Sequence, residues 1–156
     1  MKKIIYMIAA ALMLCGCNDN VSKVFDDYFV YIVDEYGAST SKIEETADDL
    51  TMTYYICLVA PTLDSDVTVG FEVTCGDGLK EGVDFEVAKS AREVTISRGV
   101  ARMPVRITFN EKRIDPARDN TVTIRLTDVD RDGISLGYPG PSALFSAHTI
   151  TKIQEQ

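Results

Sequence analysis

Val67-Thr68-Val69-Gly70-Phe71-Glu72-Val73-Thr74-Cys75 places an apolar residue at every odd position and a polar or small one at every even position. Successive side chains of an extended chain point to opposite faces. The pattern therefore makes a strand with one face on a core and the other toward water. Ala101-Arg102-Met103-Pro104-Val105-Arg106-Ile107-Thr108-Phe109 repeats it, with Met103, Val105, Ile107 and Phe109 inward, and Thr121-Val122-Thr123-Ile124-Arg125-Leu126-Thr127 repeats it again. Pro104 points outward and has no N–H for a ladder, which puts its strand at an edge or at a bulge.

Around these three, residues 28–33 and 52–60 are continuous apolar or aromatic runs, the pattern of central strands covered on both sides. Residues 93–97 make a short strand, and 144–153 close the chain with another. Ser97-Arg98-Gly99 carries the glycine of a three-residue hairpin loop, and 61–65 and 114–120 read as polar turns. No segment shows a sustained helical stripe, and only residues 41–49 admit a turn of helix. Seven short strands with turns between them predict an all-β, seven-stranded antiparallel immunoglobulin-like β-sandwich.

The N-terminus follows a different plan. Met1-Lys2-Lys3 precedes an apolar run from Ile4 to Leu14, which is the layout of a signal peptide. The run is too short for a bilayer-spanning helix, which needs about 20 such residues. Leu14-Cys15-Gly16-Cys17 resembles a lipobox, in which a small residue precedes the cleavage site and the Cys17 thiol takes up diacylglycerol. The expected organisation is a lipoprotein signal peptide over 1–16, a tether over 17–27 and one β-sandwich domain over 28–156. Several acyl chains hold a protein on a membrane durably, since each buried CH₂ contributes about 0.8 kcal/mol. The formal charge is −8, and removing Lys2 and Lys3 with the signal peptide makes it −10. Such a chain is repelled by nucleic acid, so the expected partners are the membrane through the lipid, and a protein or glycan.

Gly82-Val83-Asp84-Phe85, followed by Val94-Thr95-Ile96-Ser97-Arg98-Gly99, Arg106-Ile107-Thr108 and Thr123-Ile124-Arg125-Leu126, resembles a Calx-beta domain over about residues 50–153. The same layout is similar to Calx-beta-like domains of Bacteroidetes lipoproteins, whose signal peptides this one also resembles. The resemblance implies a lipid-anchored outer-membrane protein, displayed at the cell surface and accompanying nutrient importers. From the residues alone, Phe85 enters the core, Asp84 accepts hydrogen bonds from its own turn, and Gly99 supplies a positive φ. In calcium-binding members of the family, acids in this turn and in the loop between the last long strands hold the ion. Here that loop is Asn110-Glu111-Lys112-Arg113-Ile114-Asp115, whose two cations oppose calcium.

Asp128, Asp130 and Asp132, followed by Gly133, begin like an EF-hand loop, which gathers hard oxygen ligands around calcium. The twelfth position, where that loop needs a bidentate Glu, is Pro139. The motif is either a calcium turn between strands or an Asp-Gly turn kept soluble by charge. Cys57 and Cys75 both fall on strands, where they form a disulfide across the sandwich or two separate buried thiols. His148 is the sole histidine, so a Ser or Cys nucleophile would need it as base. No Gly-x-Ser-x-Gly elbow is present, and zinc sites need more His and Cys than this domain has. The expectation is a protein that is not an enzyme and needs no cofactor, calcium being the one candidate. There is no Trp, which leaves Tyr36 in Glu35-Tyr36-Gly37 and Tyr138 in Gly137-Tyr138-Pro139-Gly140-Pro141 as candidate ligand contacts, each alternatively a loop anchor. The reading is a non-catalytic envelope lipoprotein that binds a glycan, nutrient or partner protein. The alternative is a calcium-stabilised structural or adhesive domain.

Overall fold

The structure is a computed structural model that describes residues 27–45, 48–61, 63–88 and 92–155. The expected signal peptide, Cys17 and all but the last residue of the expected tether lie outside the described residues. Among the described residues ten strands follow one another: β1 (Tyr28–Asp34), β2 (Thr40–Glu44), β3 (Leu50–Val59), β4 (Val67–Cys75), β5 (Phe85–Val87), β6 (Glu93–Ile96), β7 (Arg102–Phe109), β8 (Thr121–Val129), β9 (Ile134–Leu136) and β10 (Ala147–Ile153). They form two five-stranded sheets, ordered β5-β7-β3-β1-β9 and β2-β10-β8-β4-β6. All odd-numbered strands lie in the first sheet and all even-numbered ones in the second. Each described connection therefore crosses the sandwich, and consecutive strands are never hydrogen-bonded neighbours.

Alternation places the core between the sheets. Val30, Ile32, Tyr54, Ile56, Val105, Ile107 and Phe109 of the first sheet pack in one cluster with Val67, Val69, Phe71, Val122, Ile124, Leu126 and Ile150 of the second. Two twisted sheets can bury their inner faces in this way over about 10 Å. Phe85 is buried beside Phe109, with ring centroids 6.1 Å apart.

The expected sandwich is present with corrections. The seven expected strands are β1, β3, β4, β6, β7, β8 and β10, and β2, β5 and β9 are additional. Strand β2 occupies the stretch that admitted a turn of helix; Ile43 is buried between exposed Lys42 and Glu44. The pairing is not wholly antiparallel, because β1 runs parallel to β9 and β10 parallel to β2. With every connection crossing between layers, no hairpin fixes the direction of a neighbour. Gly99 does have the expected positive φ, 79°, and Val100 N–H bonds Ser97 O at 2.9 Å. This turn, however, joins β6 in one sheet to β7 in the other, so it is not a hairpin. Pro104 lies on an interior strand, yet among the described residues β5 pairs with the stretch from Ile107 to Phe109, Ala88 N–H adds a bond to Arg106 O, and no described N–H or carbonyl pairs with the proline nitrogen's side of the strand.

Candidate ligand-binding face

The two outward faces differ in chemistry. On the second sheet, Thr68, Glu72, Thr123, Arg125 and Thr149 alternate with core residues, as on an ordinary wetted sheet. The first sheet turns Phe29, Tyr31 and Val33 of β1 outward, beside Tyr55, Cys57 and Val59 of β3. Phe29, Val33 and Cys57 are buried although they point away from the sandwich core. Part of their cover is the segment after β9. Tyr138 packs edge-on against Phe29 at 5.2 Å and Phe145 edge-on against Tyr31 at 6.5 Å.

At the far end of this face is an open cleft of about 380 Å³ lined by Tyr31, Val33, Glu35, Tyr36, Cys57 and Arg102, among others. Asp34 builds one wall: its Oδ1 accepts the N–H of Tyr36 at 2.9 Å and of Ala38 at 2.8 Å. Gly37, at φ 84°, completes the turn. This geometry lifts Tyr36 to 86% exposure, and the Glu35 carboxylate hydrogen-bonds its hydroxyl and raises its pKa. On the opposite wall the Arg102 guanidinium stacks over the Tyr55 ring, 4.4 Å from its centroid, a cation–π contact that holds its N–H fork in place. Arg102 has no ion-pair partner among the described residues. The cleft thus offers ring faces, a fixed donor and a carboxylate acceptor. Burial pushes the Tyr31 phenol and the Cys57 thiol up from their usual values. Cys57 is accordingly a poor nucleophile.

The sequence candidates fall out as follows. Tyr36 overlooks the cleft. Tyr138, 42% exposed, is both anchored on Phe29 and open to solvent. The disulfide between Cys57 and Cys75 is not formed, and both thiols are free. Cys57 points out of the first sheet, while Cys75 is exposed at the end of β4 in the second, its Sγ donating to Leu79 O at 3.1 Å. Cys75 keeps the inward phase of Phe71 but lies beyond the end of the core. Asp128, Asp130 and Asp132 do not converge. The Asp128 carboxylate lies over Gly70, where a Cβ would have no room, and takes a 2.7 Å bond from Thr127 Oγ1. Asp130 Oδ1 instead accepts Thr68 N–H at 2.9 Å. Among the described residues no group of three or more His, Cys, Asp or Glu side chains is placed to hold a metal.

His148 is fully buried on the inner face of β10. Its Nδ1 donates to Ala38 O at 3.0 Å, so Nε2 accepts the Ser41 hydroxyl at 3.0 Å, and the ring stacks on Tyr54 at 4.7 Å. Burial lowers its pKa, against the opposing effects of the Ala38 carbonyl and Asp34. The unfolded chain therefore binds this proton more readily. The stability His148 contributes is complete above about pH 6.5 and is lost as the pH falls through its folded pKa. Between pH 7 and 5 the melting midpoint should fall less steeply for His148→Asn, which keeps a donor toward Ala38 O, than for the wild type; equal slopes would remove His148 from the acid sensitivity.

No protein-family profile and no curated protein matches the chain. Solved structures do. The apo form of the Calx CBD1 domain aligns with a TM-score of 0.56 at 16% identity, over 82% of this chain and 99% of that one. The fold is a Calx-beta-like sandwich. A two-domain protein of unknown function from Bacteroides fragilis aligns at TM-score 0.54 and 12% identity, over 86% of this chain and 48% of that chain. Bacteroides thetaiotamicron EndoBT-3987, solved with Man5GlcNAc product, aligns at 0.56 and 10%, over 78% of this chain and 31% of its own. The Calx-beta-like chain thus spans nearly all of the Calx domain, about half of the second protein and about a third of the third.

Sequence reasoning missed Tyr31, Arg102 and Phe145. Tyr31 belongs to a run that is apolar on both faces, which reads as covered. Arg102 and Phe145 gain meaning only when β7 and the loop before β10 reach the face of β1.

Proposed function

We propose that this chain is a non-catalytic glycan-binding accessory module, held at the outer membrane by a lipid on Cys17 and displayed at the cell surface beside a nutrient importer. The observation that carries the binding reading is the aromatic outer face of the first sheet with its cleft. A sugar ring presents apolar C–H faces and equatorial hydroxyls. Tyr31 and Tyr36 supply surfaces for the former, and Arg102 and Glu35 supply a donor and an acceptor for the latter. The absence of catalysis is supported by His148, whose two ring nitrogens both bond within the core. The display reading rests on the lipobox-like Leu14-Cys15-Gly16-Cys17 and on the likeness to Bacteroidetes lipoproteins.

Calorimetric titration with linear β-1,4-linked gluco-, xylo- and manno-hexaose tests the binding. One of the three should bind saturably, and Tyr36→Ala should weaken it at least about tenfold, equivalent to about 1.4 kcal/mol. The exposed Tyr36 contributes little to folding, so the melting midpoint should stay within about 2 °C of wild type. Saturable binding untouched by Tyr36→Ala would move the site elsewhere.

A further inference from the structure

The cleft is one end of a longer feature. Phe29, Tyr31 and Val33 project from the same side of β1 at alternate positions, about 6.7 Å apart by strand rise. Tyr31 lines the cleft and also packs against both Phe29, at 5.8 Å, and Phe145, at 6.5 Å. The chain leaving β9 continues alongside β1, so Tyr138 and Phe145 flank Phe29 and Tyr31 on the β9 side. From that flank across β1 and β3 to Arg102 on β7 the surface covers three strand spacings, on the order of 14 Å. That is longer than a disaccharide.

The segment on the β9 side is fixed to β1 by its backbone. Gly137 N–H bonds Val30 O at 2.7 Å, Ile32 N–H bonds Phe145 O at 2.9 Å, and Tyr138 N–H closes the loop on Leu144 O at 2.6 Å. Gly137, at φ 77°, has no space for a Cβ against Ala143. Two residues that are not glycine sit in left-handed backbone, Ala143 at φ 40° and Phe145 at φ 62°. Such positions are costly and persist only where the surroundings enforce them. Here they hold Leu144 and Phe145 outward, 59% and 36% exposed.

We infer that Tyr138, Leu144 and Phe145 form a second sugar subsite, joined to the Tyr36 and Arg102 cleft through Tyr31, and that the ligand is an extended glycan chain lying across β1. This rests on the glycan-binding reading and adds a length requirement to it. The polar groups among the rings, Arg102 and Glu35, disfavour lipid tails as the occupant, because each would have to leave water without a partner.

Calorimetric titration of the purified protein with β-1,4-linked gluco-, xylo- and manno-oligosaccharides of two to six units decides the matter. Affinity for the bound series should rise at least about tenfold from the disaccharide to the hexasaccharide. Phe145→Ala should weaken the hexasaccharide at least about fivefold while leaving the disaccharide unchanged, whereas Tyr36→Ala should weaken both. Should Phe145→Ala fail to fold, Leu144→Ser, at a more exposed position of the same subsite, should produce the same selective loss. Equal affinity for all lengths would overturn the extended site and leave the glycan reading standing. A length-dependent loss absent from both loop variants would also overturn it. Binding by none of the three series would overturn both.

Discussion

Phe109→Ala should destabilise the domain by about 3–5 kcal/mol, the range for truncating a buried phenylalanine. Phe109 is nearly inaccessible at the end of β7, opposite Leu50 of β3 and Phe85 of β5, and its ring packs on Phe85. Three strands converge there, so the neighbours cannot collapse into the space without breaking a ladder. Against a typical total stability of about 5–15 kcal/mol, the loss is about a fifth or more. The melting midpoint should drop by roughly 10–20 °C. Met103→Ala, on the same face but only partly buried, should cost much less. Similar losses for the two would mean that the core is not centred on the Phe85 and Phe109 pair.

Strands long enough to show several alternations were legible. In β7 the repeated placing of Val105, Ile107 and Phe109 against polar neighbours fixed both the strand and its inward face. Strands β5 and β9 have three residues each, too few for any period to stand out. Their existence depends on pairing with β7 and β1, which are distant in sequence. The parallel pairs were hidden for the same reason. Local sequence signals a hairpin through its turn, but a connection that crosses from one sheet to the other leaves direction to long-range packing, as at Ser97-Arg98-Gly99.

The binding face was legible in part. Tyr36 stood out because an aromatic between an acid and a glycine has no core to enter. Tyr138 stood out because prolines and glycines on both sides keep it in a loop. Tyr31 was concealed by its neighbours: in a strand with apolar residues on both faces, one face is the core and the other awaits cover from elsewhere. That cover is the strained loop ending at Ser146, and nothing in Leu144-Phe145 announces its backbone geometry.

Asp84→Ala should be as damaging as the loss of Phe109, for an electrostatic reason. Lys152, only 3% exposed, points inward from β10 and donates to Asn110 O at 3.1 Å. Burial pulls its pKa below the usual 10.5, while the carboxylates of Asp84 and Glu45 hold it up and Lys112 opposes them. A depressed lysine pKa means that the charged form subtracts stability at neutral pH, relief coming only as the pH rises toward 10.5. Asp84, itself buried, limits that cost; its Oδ1 pairs with Lys112 Nζ at 2.8 Å and its Oδ2 accepts Lys80 N–H at 2.9 Å. Removing the carboxylate leaves the buried ammonium with Glu45 as its remaining stabilising charge and orphans a turn N–H, for an expected loss of about 3–5 kcal/mol in urea unfolding. Lys152→Met removes the buried charge itself and should change stability by less than about 1 kcal/mol in either direction. If the two variants lose the same amount, packing rather than charge governs this end of the sandwich. The same geometry bears on calcium: the Lys112 ammonium already occupies Asp84, the acid of the Gly82-Val83-Asp84-Phe85 turn. Millimolar calcium should therefore leave the wild-type melting midpoint unmoved, since only a ligand that binds the native state raises it. A rise reversed by chelator would mean that calcium displaces Lys112 from Asp84.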